Sequence, residues 1–263
     1  MTEANVQFVD TSRPPDEPSR RIADFKPDLL DTEDHHLCPG CGHPVAWRLL
    51  LEVIEELSLE QRAIGVVGHG CYTHIIQTAD LDFLQCLHGR APSAATGVKR
   101  VHGDAAVFTL QGDGDLVNEG LQETLHTAAR GERITSIMLN NGVFGDTGGH
   151  MTSTTVVGQR TKTSIDGRDP AMHGYPIPVA DLLCHLDGAA YVARGAVNNA
   201  ASVARTKKML KRAFEFQMAG AGFTFLEILT MCPTGWFVPA KDGGDYLASS
   251  MEEVYPLGEL KAP

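Results

Sequence analysis

From Cys38 onward the apolar positions follow two alternating rhythms. Short, almost unbroken apolar runs rich in β-branched residues predict strands at about 62–68, 105–111, 134–139, 189–194 and 223–229. Between them, apolar residues spaced three and four apart predict helices at about 44–57, 115–130, 178–186 and 199–219. Runs such as Ala105-Ala-Val-Phe-Thr-Leu110 and Ile134-Thr-Ser-Ile-Met-Leu139 are the kind that parallel strands show when helices cover both faces. The expected fold is therefore α/β, a mostly parallel sheet with helices on both faces, in one domain over residues 35–263. Ligands of such sheets sit at the carboxyl ends of the strands. In the last helix Val203, Met209, Leu210, Ala213 and Phe214 form the core stripe, and Lys207, Lys208, Lys211 and Arg212 the solvated face. Residues 1–34 lack periodicity and carry Pro14, Pro15, Pro18 and Pro27, so they read as an extended arm lying on another surface.

Composition narrows the function. The chain has 263 residues and a net charge of -11, and no Lys/Arg-rich run offers a face to a phosphate backbone, which excludes a nucleic-acid partner. No apolar run approaches the ~18 to 20 residues needed to span a bilayer, and residues 1–10 have neither a basic flank nor an apolar core. A cytoplasmic protein, neither secreted nor in a membrane, is expected. Six cysteines in such a chain are metal ligands, redox groups or buried residues rather than a disulfide framework.

Gly112-Asp113-Gly114-Asp115 directly follows one expected strand, and Asn140-Asn141-Gly142-Val143 follows the next. Taken singly, each is an ordinary turn. Taken together on neighbouring parallel strands, they place Asp113 and Asn141 side by side as hard oxygen donors to one Mg²⁺. The glycines let backbone approach a diphosphate, and the helix expected to begin near Asp115 adds its N-terminal amides.

Cys38-Pro-Gly-Cys41, taken alone, leaves zinc, a redox disulfide and an iron–sulfur site open, with zinc first. The other candidates, Cys71 and Cys232, are isolated and each follows an expected strand, an arrangement of three separate loops that suits a cubane cluster. Cys86 and Cys184 fall in helical patterns and read as buried free cysteines.

The Gly-Asp-Gly and Asn-Asn pair resembles the thiamine diphosphate motif. With residues 140–155, 88–97 and 222–236, the chain from about Cys38 to Lys261 resembles the diphosphate-binding β subunit of 2-oxoacid:ferredoxin oxidoreductases. The resemblance implies that Asp113, Asn141 and the Val143 carbonyl hold Mg²⁺, and that Gly42, His43, Gly70, Gly112, Gly114, Asp115, Thr147 and Gly148 surround the cofactor. It implies that Cys38, Cys41, Cys71 and Cys232 ligate a [4Fe–4S] cluster. It also implies an α subunit supplying the Glu that activates the aminopyrimidine ring, with γ and ferredoxin-like δ subunits, ferredoxin as electron acceptor and coenzyme A as co-substrate.

A non-oxidative thiamine decarboxylase would share the diphosphate motif but leave the cysteines idle. A zinc-binding α/β module would leave the two diphosphate fragments as coincidence. The chain departs from the family where Cys71 is followed by Tyr72-Thr73-His74 in place of a fixed cation, and where Asp146 enters the segment 144–150. His74 and Asp146 are accordingly the candidate catalytic pair, with His74 expected to hydrogen-bond the substrate carboxylate. His43, His69, His74 and His150 all lie in these loops. The segments 158–163, 167–170 and 231–236 look most like the 2-oxoisovalerate branch, with pyruvate and 2-oxoglutarate left open as substrates. Residues 69–75 and 142–151 contain no Lys or Arg, which disfavours a dicarboxylate such as 2-oxoglutarate.

Overall fold

The computed structural model describes residues 26–32 and 34–262, so residues 1–25 of the expected arm lie outside the described residues. Its described end packs on its own chain. Leu29 is buried and donates its N–H to Glu55 Oε1 at 2.7 Å, and the Asp31 N–H meets the Thr78 carbonyl at 2.9 Å.

After helix α1 (His43–Glu56) come strand β1 (Ala63–Val67), helix α2 (Thr73–Ile76), strand β2 (Asp82–Gln85), helix α3 (Ala91–Val101) and strand β3 (Ala106–Gly112). Helix α4 (Leu121–Ala129), strand β4 (Thr135–Asn140), the small antiparallel ribbon of β5 (Val143–Phe144) and β6 (His150–Met151), and helices α5 (Pro170–His173) and α6 (Val179–Cys184) follow. Strand β7 (Ala189–Ala196), helix α7 (Ala200–Met218), strand β8 (Phe223–Leu229), helix α8 (Pro233–Trp236) and strand β9 (Gly258–Lys261) complete the layers. The main sheet runs in the order β2-β1-β3-β4-β8-β7-β9, parallel except for β9.

The unbroken apolar runs fill the middle of this sheet because both faces are covered. On one face α1 and α7 bury Leu50, Ile54, Leu210 and Phe214 against Phe108, Ile137 and Leu226. On the other, Ala95 of α3, Ala128 of α4 and Leu183 of α6 close over Val107, Met138 and Phe225. The expected stripe of α7 is thus core, but its charged side is not simply solvated. Lys207 bridges to Glu52 at 2.7 Å and Glu56 at 2.8 Å, Lys211 reaches Glu56 at 2.9 Å, and Arg212 reaches Glu259 at 2.6 Å.

The α/β expectation holds; helix α3 (Ala91–Val101) lies where no helix was expected, and three further differences have local causes. Strands β2 and β9 were absent from the pattern because they are four-residue edge strands with little continuous apolar sequence. The single helix expected over 115–130 is a π-helical turn, Gly114–Glu119, followed by α4, and the break falls at Gly120. A Cβ there would lie 2.4 Å from the Gly89 carbonyl, so two backbones touch where a regular helix has side chains. Cys86 is not helical: it follows β2 and donates its thiol to the Val67 carbonyl at 3.2 Å. Among the described residues no helix is long and apolar enough to cross a membrane.

Candidate active site

The register pairs Gly112 with Leu139, so the chain leaves β3 and β4 side by side and brings Asp113 against Asn141. Their loops line a cavity of about 310 Å³ together with His43, Tyr72, Asp115 and Asp146.

Asp113 forms a buried wall of this cavity. Its Oδ2 accepts from the hydroxyls of Thr152 at 2.7 Å and Thr154 at 2.5 Å, and its Oδ1 from the Asn141 N–H at 3.4 Å. Burial pushes its carboxyl up to about 6, against the pull of those donors. Arg168 holds the threonine loop in place, its guanidinium donating to the carbonyls of Thr152, Ser153 and Thr155 at 3.3, 3.1 and 2.6 Å. Asn141 Oδ1 accepts from the Val143 N–H at 3.1 Å, and the Asn141 carbonyl accepts from the Trp236 indole at 2.7 Å. His43, on the first turn of α1, is buried with Nε2 3.4 Å from Asn141 Nδ2 and, among the described residues, with no partner for Nδ1. Burial pushes it down to about 4, so it is a neutral imidazole.

These observations fit a cation with an anionic ligand. An oxygen-only donor set of carboxylate, side-chain amide and backbone carbonyl suits Mg²⁺. A carboxylate whose charge burial disfavours and a buried imidazole nitrogen without a partner are both groups that a bound ion and a diphosphate would satisfy.

The cysteines converge beside it. A side chain at Gly145 would begin 3.2 Å from Cys71 Sγ and 3.6 Å from Cys232 Sγ. The Gly42 N–H donates to the Met231 carbonyl at 2.9 Å, which docks the residue-38 to residue-41 turn onto the loop of Cys232. Cys41, Cys71 and Cys232 are each pushed up to about 12, first by burial, then for Cys71 by the Asp146 carboxylate, and further by the proximity of the other thiols, Cys38 included. Among the described residues no three His, Cys, Asp or Glu side chains stand close enough for a single metal ion. A cubane places each thiolate on a different iron, so its ligands stand further apart than those of one ion. All six cysteines are free.

Other expected site residues fall differently. Asp115 is buried and saturated by protein donors: Oδ2 accepts from Tyr72 at 3.0 Å and Gln111 at 2.6 Å, and Oδ1 from the Gly89 N–H and the His88 ring, both at 2.9 Å. It shapes the cavity wall. His74 Nε2 lies 3.2 Å from Asp146 Oδ1, so this pair does meet, but only Asp146 lines the cavity. Thr147 lines it as well and contacts His150 Nδ1 at 2.8 Å, whereas Gly42 and Gly148 stand outside, the Gly148 N–H being taken by the Gly145 carbonyl at 2.9 Å. The sequence reading passed over His88, Tyr72 and the threonines 152 and 154; the Thr-Ser-Thr-Thr run at 152–155 was the available signal for the last two. It also missed that Lys162, eleven residues beyond the 142–151 loop, brings its Nζ to 3.1 Å from where a side chain on Gly148 would begin.

The family model described as "Thiamine pyrophosphate enzyme, C-terminal TPP binding domain" matches residues 77–228. The 2-oxoglutarate synthase subunit KorB of Methanocaldococcus jannaschii is 32% identical over 236 residues, covering 88% of this chain and 82% of its own. The chain belongs to the 2-oxoacid:ferredoxin oxidoreductase family. The ketoisovalerate oxidoreductase subunit VorA of Methanothermobacter thermautotrophicus is 38% identical over 226 residues, which are 86% of this chain and 47% of VorA. The chain thus spans about half the length of the VorA relatives it matches. Among solved structures of the family, the 2-oxoglutarate:ferredoxin oxidoreductase from Magnetococcus marinus, with 2-oxoglutarate, coenzyme A and succinyl-CoA bound, aligns with a TM-score of 0.74 at 25% identity. That alignment covers 86% of this chain and 73% of the other. Membership and fold are as the sequence implied.

Proposed function

We propose that this chain is the thiamine diphosphate-binding β subunit of a 2-oxoacid:ferredoxin oxidoreductase that converts a 2-oxo acid, coenzyme A and oxidised ferredoxin to acyl-CoA, CO₂ and reduced ferredoxin. The observation that carries this reading is the meeting of Asp113, Asn141 and His43, whose Nδ1 has no partner among the described residues, in one cavity beside four thiols. Asp113, Asn141 and the Val143 carbonyl would hold Mg²⁺, with His43, Gly70, Gly112, Gly114 and Thr147 facing the diphosphate. Bound there, thiamine diphosphate would supply the electron sink for decarboxylation. Cys38, Cys41, Cys71 and Cys232 would ligate a [4Fe–4S] cluster that passes electrons singly to ferredoxin. Asp146, held by His74, lies at 4.0 Å from Cys71 Sγ and would set the charge between cluster and cavity. An α subunit would supply the activating Glu, with γ and ferredoxin-like δ subunits completing a cytoplasmic complex.

The branched-chain substrate 2-oxoisovalerate is favoured by the likeness to VorA at 38% identity. Lys162 gives a second reading its support, because a cation near the 142–151 loop is what 2-oxoglutarate would require. Two measurements test the proposal. The complex with its partner should be brown, with a broad band near ~400 nm, and should bind thiamine diphosphate only with a divalent cation. Comparing kcat/KM for 2-oxoisovalerate, pyruvate and 2-oxoglutarate with a viologen acceptor then decides the substrate; a preference for 2-oxoglutarate would refute the branched-chain assignment.

A further inference from the structure

Two imidazoles stand edge to face on the cavity wall, with the ring centroids of His69 and His88 5.4 Å apart and their planes at 74°. Each is anchored through Nδ1 alone. His88 Nδ1 lies 2.9 Å from the buried Asp115 carboxylate. His69 Nδ1 lies 2.9 Å from Gln85 Nε2. With the Gln85 amide nitrogen turned toward it, His69 Nδ1 is the acceptor, and in that tautomer the ring proton is on Nε2. Among the described residues neither Nε2 has a protein partner. His69 therefore offers a fixed N–H donor without needing to be charged.

Position says what this donor is for. Asp113 is 1% exposed, whereas His69 is exposed and the His88 side chain is 47% exposed. The cation ligands thus form the floor of the cavity and the imidazoles its mouth. A cofactor diphosphate would belong on the floor with its cation, which leaves the mouth to the 2-oxo acid that arrives after it. The cavity lining also carries Glu119 and Asp146, so an anion entering past these carboxylates needs a donor waiting for it.

We infer that His69, oriented by Gln85 and braced by the Asp115-anchored His88, recognises the carboxylate of the incoming 2-oxo acid through its Nε2–H. This inference rests on the proposed function and assigns the recognition to His69 in place of His74, which stands outside the cavity lining.

Amide isosteres of histidine separate site from scaffold. His69→Asn keeps a polar group near the Nδ1 position, facing Gln85, and removes Nε2; His69→Gln restores an N–H donor near the Nε2 position. In the complex, His69→Asn should raise KM for 2-oxoisovalerate about tenfold, the worth of one charge-assisted hydrogen bond. His69→Gln should return it to within about threefold of the original, as a donor at the same place recovers most of such a bond. Calorimetric affinity for oxamate, an unreactive carboxylate of similar shape, should follow the same order. Affinity for thiamine diphosphate should stay unchanged in both variants. An unchanged KM in His69→Asn, or a worse one in His69→Gln than in His69→Asn, would overturn the assignment. A loss of thiamine diphosphate affinity would also overturn it, by moving the imidazole to the diphosphate. An unmutated complex that binds no thiamine diphosphate would instead refute the functional reading beneath it.

Discussion

Replacing Asp113 by Asn should stabilise the metal-free protein at neutral pH while abolishing the proposed cofactor site. The carboxyl ionises near 3.8 when solvated and is pushed up to about 6 in the fold, because burial disfavours the charge more than two threonine hydroxyls and an amide N–H favour it. Between those values the folded chain binds a proton that the unfolded chain has lost, so stability falls as pH rises through this window. The gap between 3.8 and about 6 is worth ~3 kcal/mol when complete. About 1.5 kcal/mol of it has developed by pH 5 and nearly all by pH 7.5. An asparagine amide carries no such cost. Any fixed penalty for turning its NH₂ group toward the Asn141 N–H is independent of pH. Urea unfolding of both proteins in chelator, followed by circular dichroism, should show the stability of Asp113→Asn relative to the parent rising by about 1.5 kcal/mol between pH 5 and 7.5. A difference that is flat with pH, or grows toward acid, would refute the reading of Asp113 as a carboxylate held ionised against its surroundings for a cation.

Serine at Cys232 should lower the iron content of the purified complex by elemental analysis, whereas alanine at Cys86, whose thiol only meets the Val67 carbonyl, should leave it alone. Arg194→Met should cost about 3 to 5 kcal/mol in urea unfolding, because Glu227, bonded to the Arg194 guanidinium at 2.7 Å, is left as a buried unpaired charge. The double variant with Glu227→Met should recover most of that loss, and no recovery would contradict the ion-pair account. Gly68→Ala should lower the urea midpoint by the equivalent of about 1 to 3 kcal/mol. Its Cβ would stand 2.1 Å from an Asp115 oxygen that Tyr72 and Gln111 prevent from moving.

What could be read along the chain was whatever the sheet makes local. Strands β3 and β4 announce themselves because both faces are covered, and their adjacency makes the spacing of Asp113 and Asn141 meaningful. The edge strands escaped because one side of each lacks a neighbour to demand apolar residues. Within the site, ligand types were legible and their partners were not. Asp115 looked like a cofactor residue from its place in the Gly-Asp-Gly-Asp run. Its saturation by Tyr72, Gln111 and His88 depends on three segments meeting in space. Lys162 was missed for the same reason: the 142–151 loop contains no cation, but the chain returns one to its flank, the Lys162 N–H meeting the Gly149 carbonyl at 2.8 Å.

The raised thiols of Cys41, Cys71 and Cys232 bear on how such a chain matures. With their ionisation pushed up to about 12, the three are neutral at physiological pH, and it is the thiolate that oxidants and alkylating agents attack. A newly made chain can therefore keep these three sulfurs, proposed here as iron ligands, close together without sealing them into a chance disulfide. The same burial makes metallation an acid-releasing event, since each of these sulfurs must surrender a proton to become a ligand. Iron delivery would then run more completely in alkaline than in acidic surroundings, and a weakly buffered reconstitution would record its own progress as a fall in pH.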